Sequence, residues 1–177
     1  REVFAKYGYR KTTMADIAAA VYKAKSSIYH YFGGKEEIFK AVIDKEANSI
    51  FREARAAIDK ESDTIKKFVT LFTVFHQKID DASNYFQFLR DDWFEVFDFT
   101  RNAKENNSHI STGMIASILR QGNSEGIFAV DHPEEKAKAI SIAFWGFVEP
   151  WNKWMYDSTG ASLNAFLDIL LYGVMKR

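Results

Sequence analysis

At 177 residues the chain is long enough for one or two compact units, and 47% hydrophobic residues can supply a real core. Two prolines and nine glycines let long helices run unbroken. The absence of cysteine excludes disulfide staples and thiolate metal sites, and fits a reducing cytoplasm. No apolar run of about 18 residues occurs, which excludes an ordinary membrane-spanning helix. Net charge is zero, but residues 1–45 hold nine Lys/Arg against five Asp/Glu, leaving the remainder at −4. The basic end is where phosphates would bind, and the body is acidic.

The chain starts at Arg1 without a methionine and inside a helix, which predicts that a segment precedes it. That helix runs to Tyr7, with Val3 and Phe4 apolar and Gly8 as its stop. Thr13 is placed to cap the next helix, with Asp16 as the reciprocal partner three residues on. Met14, Ile17, Ala18 and Val21 form one face of it. A break at Tyr22 to Ala24 precedes a helix over Lys25 to Phe32, with Ile28 and Phe32 inward and Gly33-Gly34 as terminator. Longer helices follow: 36–60, with a stripe from Ile38 to Phe51; one from Asp63 or Thr64 through Ile79; an aromatic-dense stretch over 84–99; 106–123, closed by Gly126; and one opened by Asp131-His132-Pro133-Glu134 that reaches about Tyr156. Ser162 opens the last, with Leu163, Phe166, Leu167, Leu170 and Val174 on one side. No strand alternation appears, so the chain is predicted to be all-α.

The two short helices joined by the break at 22–24 have the spacing of a helix-turn-helix, whose second helix enters the major groove while the first braces it. One side of the second helix must hold the core, and Ile28 and Phe32 meet that demand. The other side must reach base edges and phosphates, and Lys25, Ser26, Ser27, Tyr29 and His30 lie there. Lys25 and Lys35 supply cations, and Thr13 sits at a helix N-terminus, where free N–H groups favour an anion. On spacing alone, a solvated helix pair within a larger bundle reads equally well.

Residues 4 to 42 resemble the DNA-binding domain of TetR-family transcriptional regulators. The resemblance rests on Phe4, Gly8-Tyr9, Thr12-Thr13-Met14, Asp16-Ile17-Ala18, Lys25, Ser27, Ile28-Tyr29, Tyr31-Phe32, Lys35-Glu36-Glu37 and Phe39, in register over some forty residues. It implies a DNA-binding domain over 1–45 and a helical ligand-binding and dimerisation domain over 46–177. It also implies a homodimer on a palindromic operator of double-stranded DNA, a small-molecule effector, no enzymatic activity and no membrane. By position, Thr13, Lys25, Ser26, Ser27, Tyr29, His30 and Lys35 would contact DNA. The turn departs from the family, which has Gly-Val-Ser where this chain has Tyr22-Lys23-Ala24. A tyrosine at positive φ costs roughly 1 kcal/mol, and Ala24 lacks the capping hydroxyl, worth about 1 kcal/mol. Lys23 could add a phosphate contact.

Sixteen phenylalanines, four tryptophans and eight tyrosines are many for this length. Most lie beyond residue 67 and serve as core or interface packing. An apolar or aromatic effector would add a cavity walled by Phe72, Phe75, Phe86, Trp93, Phe97, Met114, Ile118 and Trp145, with His76, Gln87, Arg90 and His109 as polar handles. In this family dimers pair through a four-helix bundle, and the face Ile140, Ala143, Phe144, Phe147 with the stripe Leu163, Phe166, Leu167, Leu170, Val174 suits it. His30, His76, His109 and His132 have no ligand spacing. No nucleophile motif or phosphate loop occurs, so neither a metal nor a cofactor is expected. The expected function is a ligand-released repressor. The rivals are a DNA-binding scaffold without an inducer, and a helical ligand carrier with a vestigial N-terminal domain.

Overall fold

The computed structural model describes residues 1–85, 93–148 and 162–176, and for 82–85 and 93–107 it describes the backbone alone. Eight helices lie among them: α1 (Glu2–Lys11), α2 (Met14–Ala20), α3 (Lys25–Tyr29), α4 (Lys35–Ile58), α5 (Thr64–Tyr85), α6 (Trp93–Ser124), α7 (Pro133–Val148) and α8 (Leu163–Val174). The described residues hold no strand, only an isolated antiparallel bridge between Phe128 and Met175. None of their helices is long and apolar enough to cross a membrane. The predicted all-α class is the observed one. The expected continuation of α7 to Tyr156 lies outside the described residues.

The chain forms two units: residues 1–48 with 81–105, and residues 49–80 with 106–177. In the first, Phe4, Met14, Ile17 and Phe39 are buried together, with Val3, Tyr9, Ile28, Ile38 and Val42 packed against them. The Phe4 and Phe39 rings meet edge-on at 4.9 Å, and Tyr9 lies 5.1 Å from Phe39. α1 bends at Gly8, whose φ of 78° breaks the helical run before Tyr9 to Lys11 resume it. The buried Thr12 hydroxyl donates to the Gly8 carbonyl at 2.6 Å, so the bend leaves that acceptor paired. Arg1 and Glu46 form an ion pair of 2.8 Å between the start of α1 and α4.

The second unit is built on aromatic rings packed edge to face. Phe68, Phe72, Phe75 and Phe144 are almost wholly buried, with Phe68–Phe72 at 4.9 Å and Phe72–Phe144 at 5.0 Å. Edge-to-face geometry of this kind adds about 0.5–1.5 kcal/mol per pair to area burial. Polar bonds tie the far end of α6. Thr64 donates to Glu125 at 2.5 Å, and the Asn123 side chain brackets Val130 with bonds of 2.7 and 3.0 Å. The chain's end joins here, through Ala129 N–H to Val174 O at 2.9 Å and Lys176 N–H to Ile127 O at 3.0 Å.

The spacing of Asp131 and Glu134 suits a capping pair, but α7 starts without one. His132 takes φ 49°, and its carbonyl, not the side chain of Asp131, opens the helix by accepting from Glu135 and Lys136. Asp131 instead pairs with Lys136 at 3.1 Å, and Glu134 with Arg120.

Two helix ends share one geometry. α6 stops at Gly126 (φ 71°), with Ile127 N–H on Gly122 O and Gly126 N–H on Asn123 O. α2 stops at Tyr22 (φ 54°), with Lys23 N–H on Ala18 O at 3.0 Å and Tyr22 N–H on Ala19 O at 3.1 Å. Both are the double-bonded left-handed stop that glycine favours. At α2 a tyrosine, 95% exposed, holds the left-handed position without burial to offset it. Tyr22→Gly is therefore expected to raise stability by about 0.5–1 kcal/mol, the steric relief minus the greater freedom of glycine in the unfolded chain. Urea unfolding measures this, and a lower midpoint would contradict it. Gly122 has the opposite demand: a Cβ there would meet Phe128 Cδ2 at 2.0 Å, and that ring is buried against Phe68. Gly122→Ala is expected to cost about 1–3 kcal/mol through displacement of Phe128, read as a lower melting temperature.

Candidate functional site

α2 begins in a full capping box. Asp16 N–H donates to the Thr13 hydroxyl at 3.2 Å, while the Thr13 amide and hydroxyl donate to the Asp16 carboxylate at 2.9 and 2.6 Å. Those bonds, the hydroxyl's first, hold the Asp16 carboxyl below the usual aspartate range. A depressed folded value means the box is intact at neutral pH and is lost only as pH falls through that lowered value. The hydroxyl proton of Thr13 is thus directed to Asp16.

The box aims the apolar face of α2 inward: Met14, Ile17 and Ala18 are buried, and Ile28 of α3 packs on the same cluster. Phe32 is half-buried. Val21, expected on the same face of α2, is exposed instead, and the polar Lys23, Lys25, Ser26, Ser27, Tyr29 and His30 all lie on the surface. Lys25 Nζ sits 5.8 Å above the Tyr29 ring, and the His30 and Tyr31 rings meet edge-on at 5.2 Å. One short surface segment thus offers a cation, two small hydroxyls, a phenol and an imidazole. Groups of this kind bond to phosphate oxygens and base edges. α3 is shorter than predicted, five residues ending at Tyr29, with His30 still helical in φ and ψ as its cap. Its N-cap is Ala24, and no side chain caps it, as the sequence implies. Lys35, the first residue of α4, donates from its Nζ to the carbonyls of Tyr9 and Arg10 at 2.7 and 3.2 Å.

Of the residues expected around an effector, Phe72, Phe75, Met114 and Ile118 are buried in the second unit, and Trp145 is partly buried with its ring stacked 6.3 Å from Phe75. His76 is half-buried, 6.3 Å from the Phe147 ring. His109 is exposed. Phe86, Gln87 and Arg90 lie outside the described residues, as do the side chains of Trp93 and Phe97. Sequence reasoning missed a polar seam among the rings. The buried Ser111 and Ser141 hydroxyls are 2.9 Å apart, and Trp145 Nε1–H donates to Ser111 Oγ at 3.1 Å. Its only sequence signal is a pair of serines on otherwise apolar helix faces. Among the described residues no cluster of three or more His, Asp and Glu could hold a metal.

Ile140, Phe144, Leu167 and Val174 are buried within their own unit, while Phe147, Leu163, Phe166 and Leu170 are half-buried, with Phe147 and Phe166 stacked at 5.0 Å. Of the predicted α7 face only Ala143 is exposed, and the large apolar side chains that α7 and α8 expose are others: Ile142 at 70%, Ile169 at 73% and Tyr172 at 72%. They fall beside the predicted stripes because both helices are apolar on more than one side.

Residues 1–42 match the family described as bacterial regulatory proteins, tetR family. The chain is 25% identical over 130 residues to the transcriptional repressor KstR2 of Mycobacterium tuberculosis, covering 73% of this chain and 65% of that protein. The match thus spans less than two thirds of that relative's length. To the transcriptional regulator QacR of Staphylococcus aureus it is 20% identical over 182 residues, covering 99% of this chain and 94% of that protein. A solved transcriptional regulator from Cytophaga hutchinsonii superposes with a TM-score of 0.78 at 24% identity, over 98% of this chain and 93% of that one. The fatty acid degradation regulator FadR of Bacillus halodurans gives 0.69 at 18%, over 97% and 87%. These two likenesses show the fold. The family match falls on the helix-turn-helix, so residues 1–42 carry the domain of the tetR family of bacterial regulatory proteins, and the chain beyond them is similar to the transcription regulators named above.

Proposed function

We propose that the protein is a ligand-responsive DNA-binding transcriptional regulator, a repressor, acting as a homodimer on a palindromic operator in the cytoplasm. The observation that carries this reading is the two-sided character of α3: Ile28 is anchored in a small core while every polar side chain from Lys23 to His30 is exposed. An anchored helix with a polar outer face is what groove reading requires. Residues 1–45 would form the DNA-binding domain and 46–177 the effector and dimer domain. Lys25 would contact phosphate, and Ser26, Ser27, Tyr29 and His30 base edges or phosphate. Lys23 would add a phosphate contact, and Thr13 would act through the N-terminus of α2. Half-sites would lie about 34–36 Å apart or at a multiple of that distance.

The effector would be small and apolar. The aromatic composition of the second unit supports this, as do relatives named for ketosteroid regulation and fatty acid degradation. Phe72 and Phe75 are closed from solvent, so a ligand reaching them must part the ring stack. It would release the operator only through its differential affinity for the two states. The dimer would form on the outer faces of α7 and α8, where Ile142 and Ile169 are exposed apolar side chains, flanked on α7 by the small Ala139 and Ala143. Burying one such side chain fully is worth about 1.5–3 kcal/mol.

Two outcomes are expected. In mobility-shift titrations the chain should retard the DNA upstream of its own gene in a salt-sensitive way, and Tyr29→Ala with His30→Ala should weaken that by roughly tenfold or more while leaving the melting temperature near wild type. No sequence-specific shift at low salt would overturn the reading. In analytical ultracentrifugation Ile142→Asp with Ile169→Asp should shift the dimer to monomer, whereas a wild-type monomer at micromolar concentration would contradict the dimer.

A further inference from the structure

A hydroxyl group holds one proton and two lone pairs, so a chain of buried hydroxyls fixes which of its atoms remain free. Ser111 of α6 and Ser141 of α7 lie within the aromatic second unit, each 1% exposed. Three polar contacts meet there. Trp145 Nε1–H donates to Ser111 Oγ at 3.1 Å, the Ser111 hydroxyl donates to the Ser108 carbonyl at 3.1 Å, and the two Oγ atoms lie 2.9 Å apart. The Ser108 carbonyl can only accept, so it takes the single Ser111 proton. The contact between the serines is then made by the proton of Ser141. The reverse order would leave the Ser141 proton without an acceptor among the described residues, a costly state in a closed interior. Ser111 Oγ is thereby complete, with one proton given and two accepted. Ser141 Oγ is not: its proton is spent and both its lone pairs are open.

The surroundings carry no charge to match. Among the described residues of this unit the buried polar side chains are Thr64, Ser111 and Ser141, and none is ionisable. Trp145 stands one helical turn beyond Ser141, its ring stacked 6.3 Å from Phe75. It is the partly exposed member of the seam and so the one that an incoming molecule meets first.

We propose that Ser141 is the polar anchor of the effector site, and that the effector it selects is an uncharged ring-bearing molecule with one O–H or N–H donor, not a carboxylate. An alcohol or phenol completes Ser141 by donating to it. A carboxylate brings further acceptors and a full charge to an oxygen with no proton to give, and its desolvation goes uncompensated. This inference rests on the effector reading above and gives it a ligand class.

Three probes share one fused two-ring frame, close in size to the Trp145 indole: naphthol, naphthalene and naphthoate. Calorimetric titration of the full chain with each should rank naphthol first, by roughly tenfold over naphthalene, with naphthoate weakest. That ranking needs no mutation. Ser141→Ala should abolish the advantage of naphthol over naphthalene and leave naphthalene binding unchanged. Naphthoate binding wild type as tightly as naphthol would overturn the proposal, as would a naphthol preference that survives in Ser141→Ala. Failure of all three to bind a folded wild type would overturn it too, and an operator shift by the same sample would show that DNA binding stands without it. Mobility shifts with naphthol present separate the two readings: a molecule held through Ser141 that leaves operator affinity unchanged sinks the effector role, whereas a weakened operator complex supports both.

Discussion

A helix of five residues has no stability of its own, because the cost of its first turn is never recovered by propagation. Whatever α3 does therefore depends on the contact that holds it, the packing of Ile28 against Phe4, Met14, Ile17 and Phe39. That core is small, and each wall of it comes from a different helix. The ends of those helices are fixed by polar devices: the Thr13–Asp16 box at α2, the Thr12–Gly8 bond at the bend of α1, and the Lys35 ammonium on the last carbonyls of α1. The core supplies the cohesion, and these bonds supply the angle. Without the bonds the helices could slide while keeping most of their buried area, since burial is nearly non-directional.

The same reasoning explains what was legible in the sequence and what was not. The capping box was legible because its two residues are three apart and their bonds are local. Gly126 was legible as a stop because only a glycine takes positive φ freely, while Gly8, expected to stop α1, only bends it. The inward face of α3 followed from the spacing of Ile28 and Phe32. The Lys35 contact was invisible, because a lysine 26 residues from its acceptors leaves no trace in either pattern. Its residue type suggests a cation for phosphate, and only the folded chain shows that the ammonium also holds two carbonyls.

In the second unit the difficulty was of another kind. Phenylalanine-rich helices give the same periodic pattern whether their rings fill a core, wall a cavity or meet another subunit. The structure separates these cases by exposure. Phe72, Phe75 and Phe144 form an inner ring cluster, while Ile142 and Ile169 are exposed on helices that also bury Ile140, Phe144 and Leu167. A helix apolar on two sides defeats a single-stripe reading, since the moment of one face cancels that of the other. The Ser111–Ser141–Trp145 seam is the polar counterpart. Placed among rings, it fixes one indole orientation, because an unpaired buried N–H or hydroxyl would cost about 1–3 kcal/mol. A greasy interior thereby acquires a defined arrangement at the point where α6 and α7 touch.

The turn at Tyr22 is where local preference and tertiary structure conflict. The stop that ends α2 requires a left-handed residue, as the matching stop of α6 shows with Gly126. Tyrosine meets that requirement only under compulsion, and nothing is gained by burial at 95% exposure. The compulsion comes from both flanks, with Met14 and Ile17 on one side of the turn and Ile28 on the other seated in the same core. Moving Tyr22 to a relaxed φ would swing α3 away from Phe39 and expose Ile28. Half-buried Ile28 gains part of the about 1.5–3 kcal/mol of full burial. The fully seated Met14 and Ile17 it packs with add theirs, together more than the roughly 1–2 kcal/mol of a left-handed tyrosine. The core therefore wins, and α3 keeps its place despite an unfavourable residue in its own turn.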